Sequence, residues 1–171
     1  MITLAVDAST KSTGLAIFDG QELKHYECIT ASSTDLFKRI HKMQDELEKV
    51  IKEYKVDRIV IEDVIPEDVH GNQNVFNALK WLQGYLVEVF VKNKLPYEFM
   101  VASHWRKLCG IKTGSGVRRE SLKPKDIAFV KNQFGISAND DICDAICIGF
   151  AAVGGTIKEP QVVVVDGFEF A

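Results

Sequence analysis

Cysteine pairs, long apolar runs and a surplus of positive charge are all missing from this chain. Its four cysteines, Cys28, Cys109, Cys143 and Cys147, include no Cys-x-x-Cys pair, and no cleavable leader or long apolar span precedes or interrupts the sequence. A reducing cytoplasm is the expected setting. Cys143 and Cys147 stand four apart in an apolar helical pattern, but no His or further Cys accompanies them, so they read as small core residues rather than metal ligands. The formal net charge is −3, so any surface for a polyanion must come from local concentration of Lys and Arg. At 171 residues with 46% hydrophobic content, the chain has enough apolar material for one globular domain without staples.

What the chain has is a series of apolar runs that end on acids. In "MITLAVDASTKSTGLAIFDG" the run Ile2 to Val6 reads as a buried strand that stops at Asp7, and Gly14 to Phe18 follows after a polar turn. A lone strand-end Asp is explained by turn chemistry, because Asp, Ser and Thr bond their own backbone. It becomes a site only in company. Leu23 to Ile29 gives a weaker third strand, so a meander opens the fold. Leu36, Ile40, Met43, Leu47, Val50, Ile51 and Tyr54 then recur at helical spacing, with Ser32, Ser33 or Thr34 as N-cap. The next buried strand, Arg58 to Ile61, again has a carboxylate, Glu62, at its exit.

A second long helix carries a stripe of Val75, Leu79, Leu82, Leu86, Val89 and Phe90, while Phe76, Val87 and Val91 make its other side apolar. Such a helix is either sunk deeper in the core or shared with a second copy of the chain across a two-fold axis. "LPYEFMVA" reads as a short strand and "SHWRKLCG" as a short helix capped by Ser103 and ended by Gly110.

Between His104 and Lys131 the composition changes: Arg106, Lys107, Lys112, Arg118, Arg119, Lys123, Lys125 and Lys131 face only Glu120 and Asp126. Positive charge so concentrated is what a phosphate-binding surface needs. "IKTGSGVRRESLKPK" within it is glycine-rich and poor in apolar residues, and is expected to be a mobile loop. Its GxG is not a nucleotide fingerprint, since neither the strand and helix around it nor the full GxxxxGK[ST] pattern is present.

The last helix, in "SANDDICDAICIGFAAVGG", has Ile142, Ala145, Ile146 and Gly149 at helical spacing, with Asp141 and Asp144 sharing one face. Acids in a first turn suit the helix dipole, and Ser137 with Asp140 resembles a capping box. Asp144 escapes that explanation, because it lies deeper in an otherwise apolar helix where an unpaired carboxylate is costly. Four acids, Asp7, Glu62, Asp141 and Asp144, therefore sit where burial disfavours them. Hard oxygen ligands of this kind suit Mg²⁺ or Mn²⁺. Beside a basic segment they suggest two-metal phosphodiester hydrolysis, which needs no Ser/His or Cys/His nucleophile.

Three opening strands with Asp in the first, a helix, a strand ending in Glu and a final helix with D-x-x-D-A resemble the RuvC Holliday-junction resolvases of the ribonuclease H-like superfamily. The resemblance runs from "LAVDASTKSTGLAIF" through "IVIEDV" to "DDICDAICIG". It implies an α/β fold with a mixed five-stranded sheet, three opening strands antiparallel, flanked by helices, over residues 1–155. Residues 156–171 are a C-terminal extension, in which Gln161 to Val165 reads as an added strand on a sheet edge or across a dimer.

On that resemblance the metal-binding catalytic acids are Asp7, Glu62, Asp141 and Asp144, with two Mg²⁺ per site and Mn²⁺ as substitute. Asp7 would bridge both ions, Glu62 and Asp144 would hold one each or share them, and Asp141 would complete the second. Asp140 is a substitute for Asp141, because it also shares a face with Asp144. Lys123 is the closest match to the family's DNA-contacting lysines; Lys112, Arg118 and Arg119 hold the DNA backbone, with Lys107 and Arg106 as outer contacts. The resemblance further implies a homodimer through the helix Asn74 to Phe90, making paired nicks across four-way DNA and leaving 5′-phosphates. Where cellular members carry an aromatic three positions after the Glu, Ile65 followed by Pro66 stands here; both can wedge between base steps. That departure and the "KTGSGVRRESLKPK" segment liken the chain to divergent phage-encoded members, acting in the cytoplasm of a bacterial or phage-infected cell. Two rival readings are a non-catalytic branched-DNA binder and an actin-like or sugar-kinase nucleotide-binding domain. The second normally needs two such lobes where this length supplies one.

Overall fold

The computed structural model describes residues 1–69, 71–114, 121–157, 163–165 and 168–170. Strands β1 (Ile2–Asp7), β2 (Ser12–Asp19) and β3 (Glu22–Thr30) form the opening meander, followed by α1 (Leu36–Tyr54) and β4 (Arg58–Asp63). A 3₁₀ turn over Pro66–Val69 leads into α2 (Gln73–Lys92), β5 (Tyr97–Val101), α3 (Ala102–Leu108), α4 (Lys123–Phe134) and α5 (Asp140–Ala152). The five strands make one mixed sheet in the order β3-β2-β1-β4-β5, with β1, β2 and β3 antiparallel and β1, β4 and β5 parallel. This is the ribonuclease H-like arrangement expected from the sequence.

Each face of the sheet carries its own core, because β1, β2 and β4 are apolar on both sides as covered central strands must be. Leu4, Val6, Leu15, Ile17, Ile59 and Ile61 pack against Ile40, Met43 and Leu47 of α1 and Leu82, Leu86 and Phe90 of α2. The opposite parity, Ala5, Ala16, Phe18 and Val60, packs against Trp105 of α3, Val130 of α4 and Ile146, Cys147 and Phe150 of α5. Each buried Leu, Ile, Val, Met or Phe among them contributes roughly 1.5–3 kcal/mol. Cys109, Cys143 and Cys147 are buried in this second core, as small apolar residues. The two sides of α2 do not divide as their spacing suggested. Leu82, Leu86, Val89 and Phe90 of the stripe are in the core, but Val75 of the same stripe is exposed with Trp81 and Val91, while Val87 of the other side packs against the core.

Several local expectations are corrected. Asp35, in extended conformation, caps α1 by accepting from the N–H groups of Phe37 and Lys38, and Ser33 instead accepts from Asp35 N–H. Asn139 caps α5 by accepting from Ile142 N–H, so the Ser137–Asp140 capping box is not formed. Ser103 lies inside α3 after Val101, which makes no side-chain cap; Gly110, at φ 72°, does close that helix. The segment read as a loop up to Lys125 already turns helical at Lys123, with proline in the first turn of α4, a favoured place for it. Residues 115–120 of that segment lie outside the described residues.

Of the expected strand Gln161 to Val165, Val163–Val165 is β6 and Gln161 lies outside the described residues. β6 pairs antiparallel with β7 (Phe168–Phe170) as a separate two-stranded sheet, rather than with an edge of the main sheet. A neighbouring strand closes the ladder locally at lower loop entropy than a distant edge. Among the described residues no helix is long and apolar enough to cross a membrane.

Candidate active site

β1 and β4 run parallel with Val6 opposite Ile61, which brings Asp7 and Glu62 to neighbouring carboxyl ends of the sheet. Ala5 and Val60 face the α5 side, so strand alternation turns Asp7 and Glu62 to that side as well. In open α/β sheets this end is where ligands bind.

Asp7 pairs with Gly14 of β2, and Gly14 lets α5 close onto the sheet. A Cβ at Gly14 would stand 1.9 Å from the backbone oxygen of Asp141. Glycine is required there for space. The first turn of α5 is thereby seated beside Asp7, with Asp140 and Asp141 in that turn and Asp144 one turn further in.

The acids of α5 have different partners. Asp141 accepts a hydrogen bond from Ser12 Oγ, which also lies 3.1 Å from Cys28 Sγ. Asp140 pairs with Lys123 Nζ, which holds its carboxyl below the usual carboxylate range. Asp144 is 13% exposed, and its Oδ2 lies 3.9 Å from Arg106 Nη2. Its Oδ1 is buried with no hydrogen-bond partner among the described residues. Burial, and then the nearby carboxylates of Asp126 and Glu62, push the Asp144 carboxyl up to about 8 against the pull of Arg106. Such an oxygen is short of a cation.

Glu62 is 8% exposed and accepts from Trp105 Nε1 at 2.8 Å, while Gln83 Nε2 of α2 donates to its backbone oxygen at 2.7 Å. Above the Trp105 ring, 4.2 Å from its centroid, lies the Arg106 guanidinium. Arg106 donates from Nε and Nη2 to both oxygens of Asp126, at 2.9–3.2 Å. The expectation that Arg106 is an outer DNA contact is therefore corrected. At 7% exposed, it faces inward because a fully buried carboxylate claims its fork.

Lys107, Lys112 and Lys123 face solvent. Lys107 and Lys112 line a groove of about 720 Å³ with Ser103, His104, Ile111 and Thr113. Lys123 lies at the rim of the acid cluster, raised in pKa by its bond to Asp140. Arg118 and Arg119 lie outside the described residues. Ile65 is half-buried between β4 and the 3₁₀ turn.

One end of the sheet thus collects Asp7, Glu62, Asp141 and Asp144, but no three His, Cys, Asp or Glu side chains among the described residues are gathered closely enough to hold a metal ion. Among the described residues each of three acids has a protein donor beside it: Ser12 at Asp141, Trp105 at Glu62 and Arg106 at Asp144. The donor chemistry still fits a hard divalent cation, since the ligands are carboxylates and Asp144 Oδ1 is an orphaned buried oxygen. Ser12, Gly14, Trp105 and Asp126 escaped the sequence reading. The signal for Asp126 was its being one of two acids in a basic stretch.

The family model for crossover junction endodeoxyribonuclease RuvC matches residues 3–151. Among solved structures, T. thermophilus RuvC in complex with Holliday junction substrate is similar at a TM-score of 0.72 and 12% identity, covering 90% of this chain and 93% of that one. A second Thermus thermophilus RuvC structure gives 0.71 and 12% identity, over 90% and 94% of the two chains. The yeast mitochondrial Holliday junction resolvase Ydc2 gives 0.57 and 12% identity, over 89% and 77%. No curated protein matches the chain in sequence.

Proposed function

The chain belongs to the RuvC crossover junction endodeoxyribonuclease family, and from that premise we propose that it is a metal-dependent, structure-selective nuclease that resolves four-way and other branched DNA by paired nicking, leaving 5′-phosphate ends. The observation that carries this reading is the orphaned, buried Oδ1 of Asp144 at the end of the sheet where Asp7, Glu62 and Asp141 also lie. Residues 1–155 form the nuclease domain, 156–171 an extension, and the protein acts in the cytoplasm of a bacterial or phage-infected cell.

Asp7, Glu62, Asp141 and Asp144 would hold two Mg²⁺, or Mn²⁺ in their place, with Asp140 able to stand in for Asp141. The ions supply Lewis acidity at the attacking water and the leaving oxygen. The chain's own residues prepare that chemistry. Ser12 orients Asp141, Trp105 fixes Glu62 and excludes water behind it, and Gly14 lets α5 reach the sheet. Lys123 exchanges Asp140 for a DNA phosphate at the rim, and Lys107 and Lys112 hold the backbone along their groove. Arg118 and Arg119 extend that surface, and Ile65 with Pro66 wedges at the branch point. Dimerisation through α2 is supported by its exposed aromatic patch, where Trp81 stacks on Phe37 at 5.9 Å.

That no three His, Cys, Asp or Glu side chains gather closely enough for a metal ion among the described residues favours a non-catalytic junction binder. Incubating the protein with an end-labelled four-way junction and a linear duplex, in Mg²⁺ and in EDTA, separates the two readings. Resolution predicts symmetrical, Mg²⁺-dependent nicks on the junction that ligase reseals without a kinase. Junction binding with no incision in Mg²⁺ or Mn²⁺ would establish the binder.

A further inference from the structure

Asp126 belongs to no motif that the sequence singled out, yet it is 0% exposed and lies one helix away from the acids. A carboxylate taken out of water must be held by strong donors. Both of its oxygens are taken by Arg106, through Nε at 3.2 and 3.0 Å and Nη2 at 2.9 Å. Fixed in that fork, the guanidinium has two further neighbours. It stands 3.9 Å from Asp144 Oδ2, and it lies over Trp105, whose Nε1 reaches Glu62 Oε2 at 2.8 Å. One residue of α4 thus fixes the surroundings of two acids carried by α5 and β4, through Arg106 and, at Asp144, by direct side-chain contact as well.

A buried ion pair is a poor way to stabilise a fold, since apolar replacements of the same volume are often as stable or more so. Its placement is better explained by what it touches. We propose that Asp126 is a positioning residue of the nuclease site. Through Arg106, which stands beside Asp144 Oδ2, and through its own side-chain contact with Asp144, it fixes the orientation in which the Asp144 carboxyl meets the divalent ion, and it steadies Glu62 through Trp105. The inference rests on the reading of Asp144 and Glu62 as metal ligands.

The test measures Mn²⁺ binding to the DNA-free protein by electron paramagnetic resonance of the unbound ion, with thermal unfolding and junction binding in EDTA alongside. Asp144→Asn reports on the underlying reading, Asp126→Asn on the inference. Loss of an outer partner of a metal ligand weakens metal affinity by about 10–100-fold, and that is the expected shift for Asp126→Asn, with junction binding in EDTA unchanged. The double variant Arg106→Met/Asp126→Leu removes one positive and one negative charge, so its effect reports geometry rather than net charge. It is expected to melt no lower than the wild type while showing the same weakening. A double variant that folds and binds Mn²⁺ like the wild type overturns the inference, even if Asp126→Asn binds weakly. Wild-type protein that takes up no Mn²⁺, or Asp144→Asn that binds it undiminished, overturns the metal-site reading and this inference with it.

Discussion

Replacing Gly14 by alanine tests how closely α5 must approach the sheet. The added Cβ would lie 1.9 Å from the Asp141 carbonyl oxygen, 2.5 Å from its carbon and 3.1 Å from Ile142 N. An ordinary carbon–oxygen contact is about 3.3 Å, so the two elements must part by roughly 1.4 Å. All three atoms are backbone, and no rotamer change can relieve the clash. The displacement falls on the turn that carries Asp141 and reaches Asp144. Overpacking of this kind costs about 1–3 kcal/mol, which for a chain of this size lowers Tm by about 2–12 °C. A misplacement of about 1 Å at reacting groups costs on the order of 100-fold in rate. Gly149→Ala is the matched control. Its Cβ would meet the Phe18 ring at 2.3 Å and Ala5 Cβ at 3.1 Å, deep in the second core and more than a turn beyond Asp144. Junction cleavage at saturating Mg²⁺, at a temperature where both variants are folded by circular dichroism, should fall about 100-fold in Gly14→Ala and little in Gly149→Ala. Equal rates in the two variants at equal loss of Tm would refute the reasoning.

Asp144→Asn should flatten the pH dependence of stability in the metal-free protein. With the folded-state pKa raised to about 8, the two states bind protons alike at low pH. Stability is then lost as pH rises from the ordinary carboxylate value towards 8, at no more than about 1.4 kcal/mol per pH unit. Denaturant titrations in EDTA at several pH values check this; an unchanged slope in the variant contradicts it. Trp105→Phe deletes the donor to Glu62 while keeping most of the packing. It should cost about 1–3 kcal/mol in thermal stability and raise the Mg²⁺ concentration for half-maximal cleavage by about 10-fold or more. Lys123→Ala should weaken junction binding in EDTA and reduce the slope of log affinity against log salt by about 0.9, and it should let the Asp140 carboxyl return towards its ordinary range. An unaltered salt slope would remove Lys123 from the interface.

The fold was legible because its signals are periodic. The stripe from Leu36 to Tyr54 coincides with α1, and apolar runs ending on Asp7 and Glu62 became the adjacent parallel strands β1 and β4. What escaped depended on three-dimensional neighbours. Arg106 sits in a seven-residue helix too short to display a period, inside a basic stretch that composition assigns to the surface; only the approach of Asp126 from α4 turns it inward. α4 itself was partly hidden because its first residues, Lys123 to Lys125, are charged or proline. Asp35 displaced Ser32, Ser33 and Thr34 as cap because its carboxylate reaches two N–H groups at once. Gly14 reads in sequence as an ordinary strand start, and its need for space exists only once α5 lies across β2. Within the site, the acids were visible as exceptions to burial, whereas the donors beside them, Ser12 and Trp105, belong to residue types with many ordinary uses.

If Asp7 and its companion acids cut branched DNA with a divalent ion, removing the Asp7 carboxylate must abolish cutting and spare binding. Wild-type protein and Asp7→Asn, placed side by side on a labelled four-way junction in Mg²⁺ with binding followed by gel shift, test it most directly. Paired nicks are expected from the wild type and intact junction with Asp7→Asn, both proteins binding with similar affinity. Equal incision by the two proteins, or a wild type that binds the junction and never cuts it, would contradict it.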